Sequence, residues 1–345
     1  MKIIVCTAFI WTTLMMQVSA GGVGFSGIVT NDPMGGKMRV SLWYPSNQAS
    51  GTVSVGSFTF PATRDAKPAD GRHGLVVISH GTAGSDLGHR NIAIALANAG
   101  FIVAAPLHPR DNYEDNSGVG RRIVMEGRPR QLTAVVDALL SIPKWRNRID
   151  LGRIGAFGFS LGGYTVLAVL GAHADMSNIV DHCRRTSTDP FCDIGGNLAV
   201  ATRKTIELDY REAPRDVFDP RFCAATLADP VAVPFSDEAL AKITARHIQV
   251  WRPEDQNVLL AEAHASRVVR QLNTRPQAEV TKEIVVPNAQ HYSFLAPFPQ
   301  HLHATLPREL TSDRREFSRA EFQERFVSEV ADYLSSRLAR CADRS

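Results

Sequence analysis

Residues 153–172, RIGAFGFSLGGYTVLAVLGA, decide the fold because they join an apolar run to a helical pattern through a glycine-rich turn. Residues 153–159 are typical of a buried strand, and residues 162–172 are typical of a helix. Ser160 lies at the junction, with a glycine two positions away on each side, so nothing bulky crowds a sharp turn. The pattern predicts an exposed serine hydroxyl at a helix N-terminus, which favours a developing negative charge.

Short apolar runs alternate with helical patterns elsewhere, which is typical of an α/β protein with a mostly parallel sheet and helices on both faces. The predicted strands cover residues 39–45, 75–79, 101–106, 153–159, 222–228, 247–251 and 281–287. The predicted helices cover residues 90–100, 130–143, 162–172, about 259–272 and 318–338. Residues 173–222 interrupt the pattern with a polar segment, which we interpret as an insertion that forms a lid or cap.

The first twenty residues have the pattern of a secretory signal peptide. Lys2 precedes a largely apolar run, and small residues end it at Ala20. The alternative is an uncleaved membrane anchor, but the run is shorter than the roughly 20 apolar residues that a span needs. We therefore expect an exported protein, periplasmic or secreted, with residues 21–345 as one domain and no membrane span after cleavage.

Four cysteines remain after residue 20, and an even number in an exported chain permits disulfides. Cys183 and Cys192 flank a polar loop and are the first candidate pair. Cys223 and Cys341 are a second candidate pair, the alternative being that Cys223 is a buried small residue. The spacings do not resemble a zinc site, and we expect neither a metal nor an organic cofactor.

Composition narrows the range of partners. The chain has 345 residues, a hydrophobic content of 44% and a formal net charge of +3. This hydrophobic content permits a sizeable core. The sequence has no basic stripe with interleaved aromatic residues, the pattern that would indicate nucleic-acid binding. The sequence does not indicate an oligomeric state. The partner that we expect is a small-molecule substrate.

A serine hydroxyl is a weak nucleophile without a neighbouring base, so we looked for a histidine and an acid after Ser160. His291 follows the last predicted strand and is the candidate base. The acid should lie between the serine and this histidine, after an intervening strand. Asp255 is our preferred candidate, with Glu254 as the fallback and Asp229 as the less favoured alternative.

Two backbone N–H groups are needed to stabilise an oxyanion. The first is expected from Leu161, directly after the serine. The second is expected in the loop HGTAGSD, where we assign Thr82, with Ala83 as the neighbouring option. His80 begins this loop but precedes the serine in the chain, so we interpret it as a structural residue that holds the loop.

A second polar segment follows a predicted strand at residues 108–112, HPRDN. Loops at the carboxyl ends of parallel strands line the site in such sheets, which makes this segment a candidate for substrate contact. The alternative is a turn that Pro109 holds.

The chain resembles α/β-hydrolases and, within them, the dienelactone-hydrolase-like and platelet-activating-factor acetylhydrolase-like group of exported bacterial enzymes. The matching segments are VSLWYP, VVISHGTAGS, APLHPRDN, RIGAFGFSLGGYT, DPRFCAATLADP and AQHYSFLAP. The resemblance implies a triad of Ser160, Asp255 and His291. Dienelactone hydrolases have Cys at the nucleophile position, so the serine favours ordinary esters. Acetylhydrolases usually have His where this chain has Phe159, which counts against phospholipid specificity.

Together these observations predict a serine esterase for small to medium carboxylic esters that works through an acyl-enzyme. The same residues would serve an amidase, a peptidase or a phospholipid acetylhydrolase. A third alternative, from another class, is a hydrolase fold that binds ligands without turnover.

Overall fold

The computed structural model describes residues 21–193, 217–276 and 279–342. The strands are β1 Gly22–Asn31, β2 Lys37–Ser46, β3 Thr52–Val55, β4 Phe58–Pro61, β5 Thr63–Arg64, β6 His73–Ser79, β7 Ile102–Pro106, β8 Ile149–Phe159, β9 Phe222–Ala228, β10 His247–Pro253 and β11 Glu283–Val286. The helices are α1 Arg90–Asn98, α2 Arg122–Met125, α3 Gly127–Ser141, α4 Pro143–Arg146, α5 Leu161–Val169, α6 Ser177–Arg185, α7 Asp237–Ala241, α8 Ala265–Leu272, α9 Arg308–Thr311 and α10 Arg319–Ala342. Short 3-10 helices cover Pro190–Asp193, His291–Phe294 and Gln300–Leu302.

Nine of these strands form one sheet, in the order β11-β10-β9-β8-β6-β7-β2-β1-β5. The pairs from β7 across to β11 are parallel, whereas β2 pairs antiparallel with both β1 and β7. Strands β3 and β4 form a separate hairpin. The predicted mostly parallel α/β sheet is confirmed, and its parallel part aligns the carboxyl ends of β6, β8 and β9 at one edge.

The sheet is buried on both faces, and the side chains of β6 show this directly. Leu75 and Val77 pack into one hydrophobic cluster, with residues of α3 and α5, while Val76 and Ile78 pack into a second, with residues of α1 and α10. Successive side chains of a strand point to opposite faces, so an unbroken apolar run fits a strand that is covered on both sides.

Most predicted elements differ by a few residues from the bounds in the structure, and two of the differences concern the last third of the chain. The helix predicted from about residue 259 is wrong in its first part, because α8 begins at Ala265. The Leu260 amide donates to Asp189 and the Ala261 amide donates to Gln256, and these side-chain contacts hold a turn before the helix. The predicted strand 281–287 is shorter and corresponds to β11.

Both candidate disulfides are present. Cys183–Cys192 joins α6 to the 3-10 helix Pro190–Asp193, and Cys223–Cys341 joins β9 to the end of α10. Two disulfides are consistent with an oxidising environment, which is where such bonds persist. The predicted signal peptide, residues 1–20, lies outside the described residues, as do residues 194–216 of the predicted insertion. Within the described ranges, no helix combines the length and hydropathy that a bilayer span requires.

Candidate active site

Ser160 has the backbone conformation of a strained turn between β8 and α5. Its φ is 54° and its ψ is −120°, values that non-glycine residues rarely adopt. The neighbouring strand and its loop hold this turn in place. The Ser160 amide donates to the Ala228 carbonyl at 3.0 Å, and the Val231 amide donates to the Ser160 carbonyl at 3.0 Å. The end of β9 and the loop after it therefore hold both the amide and the carbonyl group of Ser160.

The glycines around Ser160 are required by close contacts between backbone segments. A Cβ atom on Gly158 would lie 2.3 Å from the Gly162 carbonyl oxygen. On Gly162 it would lie 1.9 Å from the Ser79 carbonyl oxygen, and on Gly163 it would lie 2.4 Å from Pro230. None of these distances leaves room for a methyl group, so the turn can form only with glycine at these positions.

Ser160 and His291 line the same pocket. Among the described residues that line it, the polar side chains are those of Thr82, Ser160, His291 and Tyr292, and the others are apolar or glycine. The predicted insertion contributes three apolar side chains, those of Met176, Ile179 and Phe191. The pocket thus offers a serine, a histidine and an apolar wall to a bound molecule.

The carboxylate partner of His291 is Asp229. The His291 Nδ1 atom lies 2.5 Å from the Asp229 Oδ2 atom, and both side chains are buried. A carboxylate here accepts the Nδ1–H of the imidazole and leaves Nε2 with a lone pair that can accept a proton. The Asp229 amide donates to the Trp251 carbonyl at 2.7 Å, so the backbone that carries this carboxylate is anchored to β10.

Asp255, the preferred acid in the sequence, is not the partner of His291, and that prediction is wrong. Its carboxylate accepts hydrogen bonds from Arg314 at 2.5 Å and from Gln290 at 3.1 Å. The fallback Glu254 accepts from the Asn288 amide at 2.9 Å. Both residues follow β10, which lies one strand farther from β8 than β9 does. Neighbouring strands are about 4.8 Å apart, which places the end of β9 nearer to the serine.

The two predicted oxyanion donors, Thr82 and Leu161, both line the pocket that contains Ser160. Among the described residues, neither of their amides has a hydrogen-bond acceptor. The Ala83 amide, which was the neighbouring option, donates to the Asp111 carboxylate at 2.8 Å. The Ala83 amide is therefore occupied, whereas the Thr82 amide is available to a ligand in the pocket.

Two buried histidines support the loop and do not line the pocket. The His80 Nδ1 atom lies 2.7 Å from the Gly81 carbonyl, and its Nε2 atom accepts from the His108 amide at 3.2 Å. This agrees with the structural interpretation of His80. Residues 108–112, the candidate segment for substrate contact, do not line this pocket, and His108 and Asp111 are fully buried. This burial agrees with the alternative interpretation, a structural turn.

Burial of histidines predicts that stability falls in acid. Burial lowers the pKa of His80 and of His89 from 6.5 to about 3. The unfolded chain therefore binds more protons than the folded one between these values, and the free energy of unfolding decreases as the pH falls from 6.5 towards 3. His89 packs against Phe157 and Phe159, with ring centroids 5.0 and 5.3 Å away, so an apolar side chain suits this position.

We expect His89→Leu to remove its share of this acid sensitivity. Between pH 7 and pH 4 the variant should lose roughly 3 kcal/mol less unfolding free energy than the parent protein, as measured by urea denaturation. His301→Leu, at an exposed position, is the matched control and should keep the parent slope. An unchanged pH dependence in the His89 variant would contradict the prediction.

His182, Asp189 and His264 have their ligand atoms within 4.8 Å of one another, so we tested whether they suit a metal ion. The His264 Nδ1 atom accepts from the Ala232 amide at 3.1 Å, so the Nε2 atom must carry the proton of the neutral ring. That Nε2 faces the Asp189 carboxylate at 3.3 Å, where a metal would need its lone pair. The group fits a hydrogen-bonded cluster that ties the predicted insertion to the start of α8.

Residues 62–181 match the family model described as the dienelactone hydrolase family. No curated protein sequence matches the chain. Among solved structures, a ferulic acid esterase from Streptomyces cinnamoneus is similar over 92% of this chain and 90% of its own, with 18% identity and a TM-score of 0.60. A cold-adapted esterase from an Arctic intertidal metagenomic library covers 92% of this chain and 94% of its own, with 12% identity and a TM-score of 0.46.

The first of these structures shares the fold described above, with helices on both faces of a mostly parallel sheet. The family match spans the stretch from β5 through the turn at Ser160 and into α6. It thereby includes the loop of Thr82 and the serine, and it confirms the family resemblance of the sequence. Residues 62–181 are therefore similar to the dienelactone hydrolase family, and the chain as a whole has the fold of the ferulic acid esterase structure.

Proposed function

We propose that the protein is a serine esterase for uncharged carboxylic esters, with Ser160 as nucleophile, His291 as base and Asp229 as the acid. The observation that carries the proposal is the buried contact of 2.5 Å between His291 and Asp229, made by a histidine that shares its pocket with Ser160. The strained turn supports it, because such turns present a nucleophile at the end of a strand.

In this mechanism, the Ser160 Oγ attacks the ester carbonyl while the His291 Nε2 takes the hydroxyl proton. The carbonyl oxygen becomes negative and accepts hydrogen bonds from the Thr82 and Leu161 amides. His291 then returns the proton to the leaving alcohol, and an acyl-enzyme remains. Water, activated by His291, releases the acid and restores the serine. Asp229 holds the imidazole in one tautomer and stabilises the imidazolium that forms.

The apolar wall supports a substrate whose acyl or alcohol part is apolar. Met176, Ile179 and Phe191 come from the predicted insertion, and the Cys183–Cys192 disulfide joins the two short helices that carry Ile179 and Phe191. The insertion would then act as a lid or cap over an ester in the pocket. The signal-peptide pattern and the disulfides support an exported location for this activity.

Covalent labelling tests the proposal. We expect a fluorophosphonate to add once, on the peptide that contains Ser160, and p-nitrophenyl butyrate to slow the labelling by competition. Ser160→Ala should lose both the label and the turnover of p-nitrophenyl acetate, while Ser54→Ala, at an exposed serine, should keep both. Turnover that survives in the Ser160 variant would overturn the assignment. A matched ester and amide pair distinguishes an esterase from an amidase that uses the same residues.

A further inference from the structure

A buried ion pair lies behind the loop that contains Thr82. The Arg128 Nη1 atom is 2.5 Å from the Asp111 Oδ2 atom, and both side chains are fully buried. Neither residue lines the pocket that contains Ser160. Taking two charges out of water costs several kcal/mol per ion, and such a pair often stabilises a fold no better than apolar residues would. Such a pair therefore suggests a geometric role, which depends on the groups that it holds in place.

Arg128, on α3, joins the end of β6 to the helix that follows the serine. Its Nη2 atom donates to the His80 carbonyl and, at 3.2 Å, to the Ser79 hydroxyl. Its Nε atom donates to the Thr165 hydroxyl at 3.0 Å, and Thr165 is on α5. The rigid fork of the guanidinium thus fixes the first residue of the Thr82 loop relative to the helix that begins at Leu161.

Asp111 holds the other end of the same loop. Its Oδ1 atom accepts from the Ala83 amide at 2.8 Å, while its Oδ2 atom receives Arg128. Ala83 has a φ of 51°, an unfavourable conformation for alanine that this hydrogen bond helps to hold. Between the two anchors, the Gly81 carbonyl accepts from the His80 ring at 2.7 Å. Backbone groups on both sides of Thr82 are thereby committed, and the Thr82 amide is left for a ligand.

We propose that Arg128 and Asp111 are positioning residues that hold the Thr82 amide towards the oxyanion of the reacting ester. The inference rests on the proposed esterase function. The pair acts on the transition state, because the negative oxygen forms only there, and it acts through Thr82 without touching substrate. Its loss should lower kcat and leave KM nearly unchanged.

Two variants separate positioning from stability. Asp111→Asn keeps the shape and removes the charge. Arg128→Met combined with Asp111→Leu removes both charges and refills the volume, a replacement that can preserve the stability of a buried pair. We expect each to fold, by circular dichroism and thermal melting, and to lower kcat by about 10² to 10³, the effect of losing one oxyanion donor, with KM within about threefold. Affinity for a trifluoromethyl ketone, which binds as a tetrahedral oxyanion, should fall by a similar factor.

Asp219→Asn is the matched control. Asp219 is also a buried carboxylate paired with an arginine, Arg221 at 2.7 Å, and it does not contact the Thr82 loop. It should lose stability without the loss of kcat or of ketone affinity. Ion-pair variants that keep kcat and ketone affinity, as this control should, would overturn the positioning role alone. Ion-pair variants that fail to fold while the control folds would also overturn it. Parent protein that neither hydrolyses esters nor labels at Ser160 would overturn the proposed function and this inference together.

Discussion

Asp229→Asn is expected to lower kcat for p-nitrophenyl acetate by about 10⁴, the loss typical of an acid that orients a catalytic histidine. The amide keeps the shape of the carboxylate but presents an N–H group to the His291 Nδ1 atom, now 2.5 Å from a carboxylate oxygen. The imidazole would then carry its proton on Nε2, where it could no longer accept one from Ser160. Steady-state kinetics at pH 7.5 on folded protein measures the effect.

Asp255→Asn is the control that makes this result decisive. Asp255 pairs with Arg314, whose side chain is half exposed, and such pairs contribute between zero and about 1 kcal/mol to stability. We expect kcat within about threefold of the parent value, because this carboxylate does not contact His291. The reverse pattern, a severe loss in the Asp255 variant and a mild one in the Asp229 variant, would refute the assignment.

Gly162→Ala is expected to destabilise the fold by about 3 to 5 kcal/mol and to reduce activity in whatever protein folds. Its Cβ would lie 1.9 Å from the Ser79 carbonyl oxygen and 2.8 Å from that of His80, and both are backbone atoms that cannot rotate away. Relief requires α5 to move from the end of β6. That motion separates the Leu161 amide from the Thr82 loop, so the expected loss of kcat accompanies the loss of stability.

Gly27→Ala provides the comparison for this glycine. Gly27 is exposed on β1, and its nearest neighbour to a new Cβ is the Val40 carbonyl oxygen at 3.6 Å, an ordinary contact. We expect an unfolding free energy within about 1 kcal/mol of the parent value, and unchanged kcat. Urea denaturation and ester turnover measure both variants. A Gly162 variant as stable and as active as the Gly27 variant would show that the turn tolerates a side chain.

The site is assembled from loops that follow several strands. The Thr82 loop follows β6, Ser160 follows β8, Asp229 follows β9, and His291 lies after β11. In open α/β sheets, ligands bind at the carboxyl ends of the strands, and the pocket that contains Ser160 and His291 lies at that edge of the sheet. The polar network of Arg128 and Asp111 lies beneath the first two loops.

The sequence predicted the sheet well where local pattern and burial agree. The apolar runs of β6 and β7 are buried, and their short length and β-branched residues distinguish them from helices. It predicted less where tertiary contacts decide. β1 carries three glycines and lacks an unbroken apolar run, so its pairing with β2 was not foreseen. The start of α8 depends on a hydrogen bond that the Leu260 amide donates to Asp189, a side chain that is distant in the chain.

The sequence by itself determined the turn at Ser160, because a strand pattern, two flanking glycines and a helix pattern meet there, and a Cβ on Gly158 would meet the Gly162 carbonyl oxygen within the same turn. It also indicated His291, the histidine that lies directly after the last predicted strand. Only the tertiary structure decided between Asp229 and Asp255. Both follow apolar strands before His291, and local pattern does not specify which strand lies beside β8. The strand order places β9 there, and the hydrogen bonds of Ala228 and Val231 to Ser160 bring Asp229 to the site.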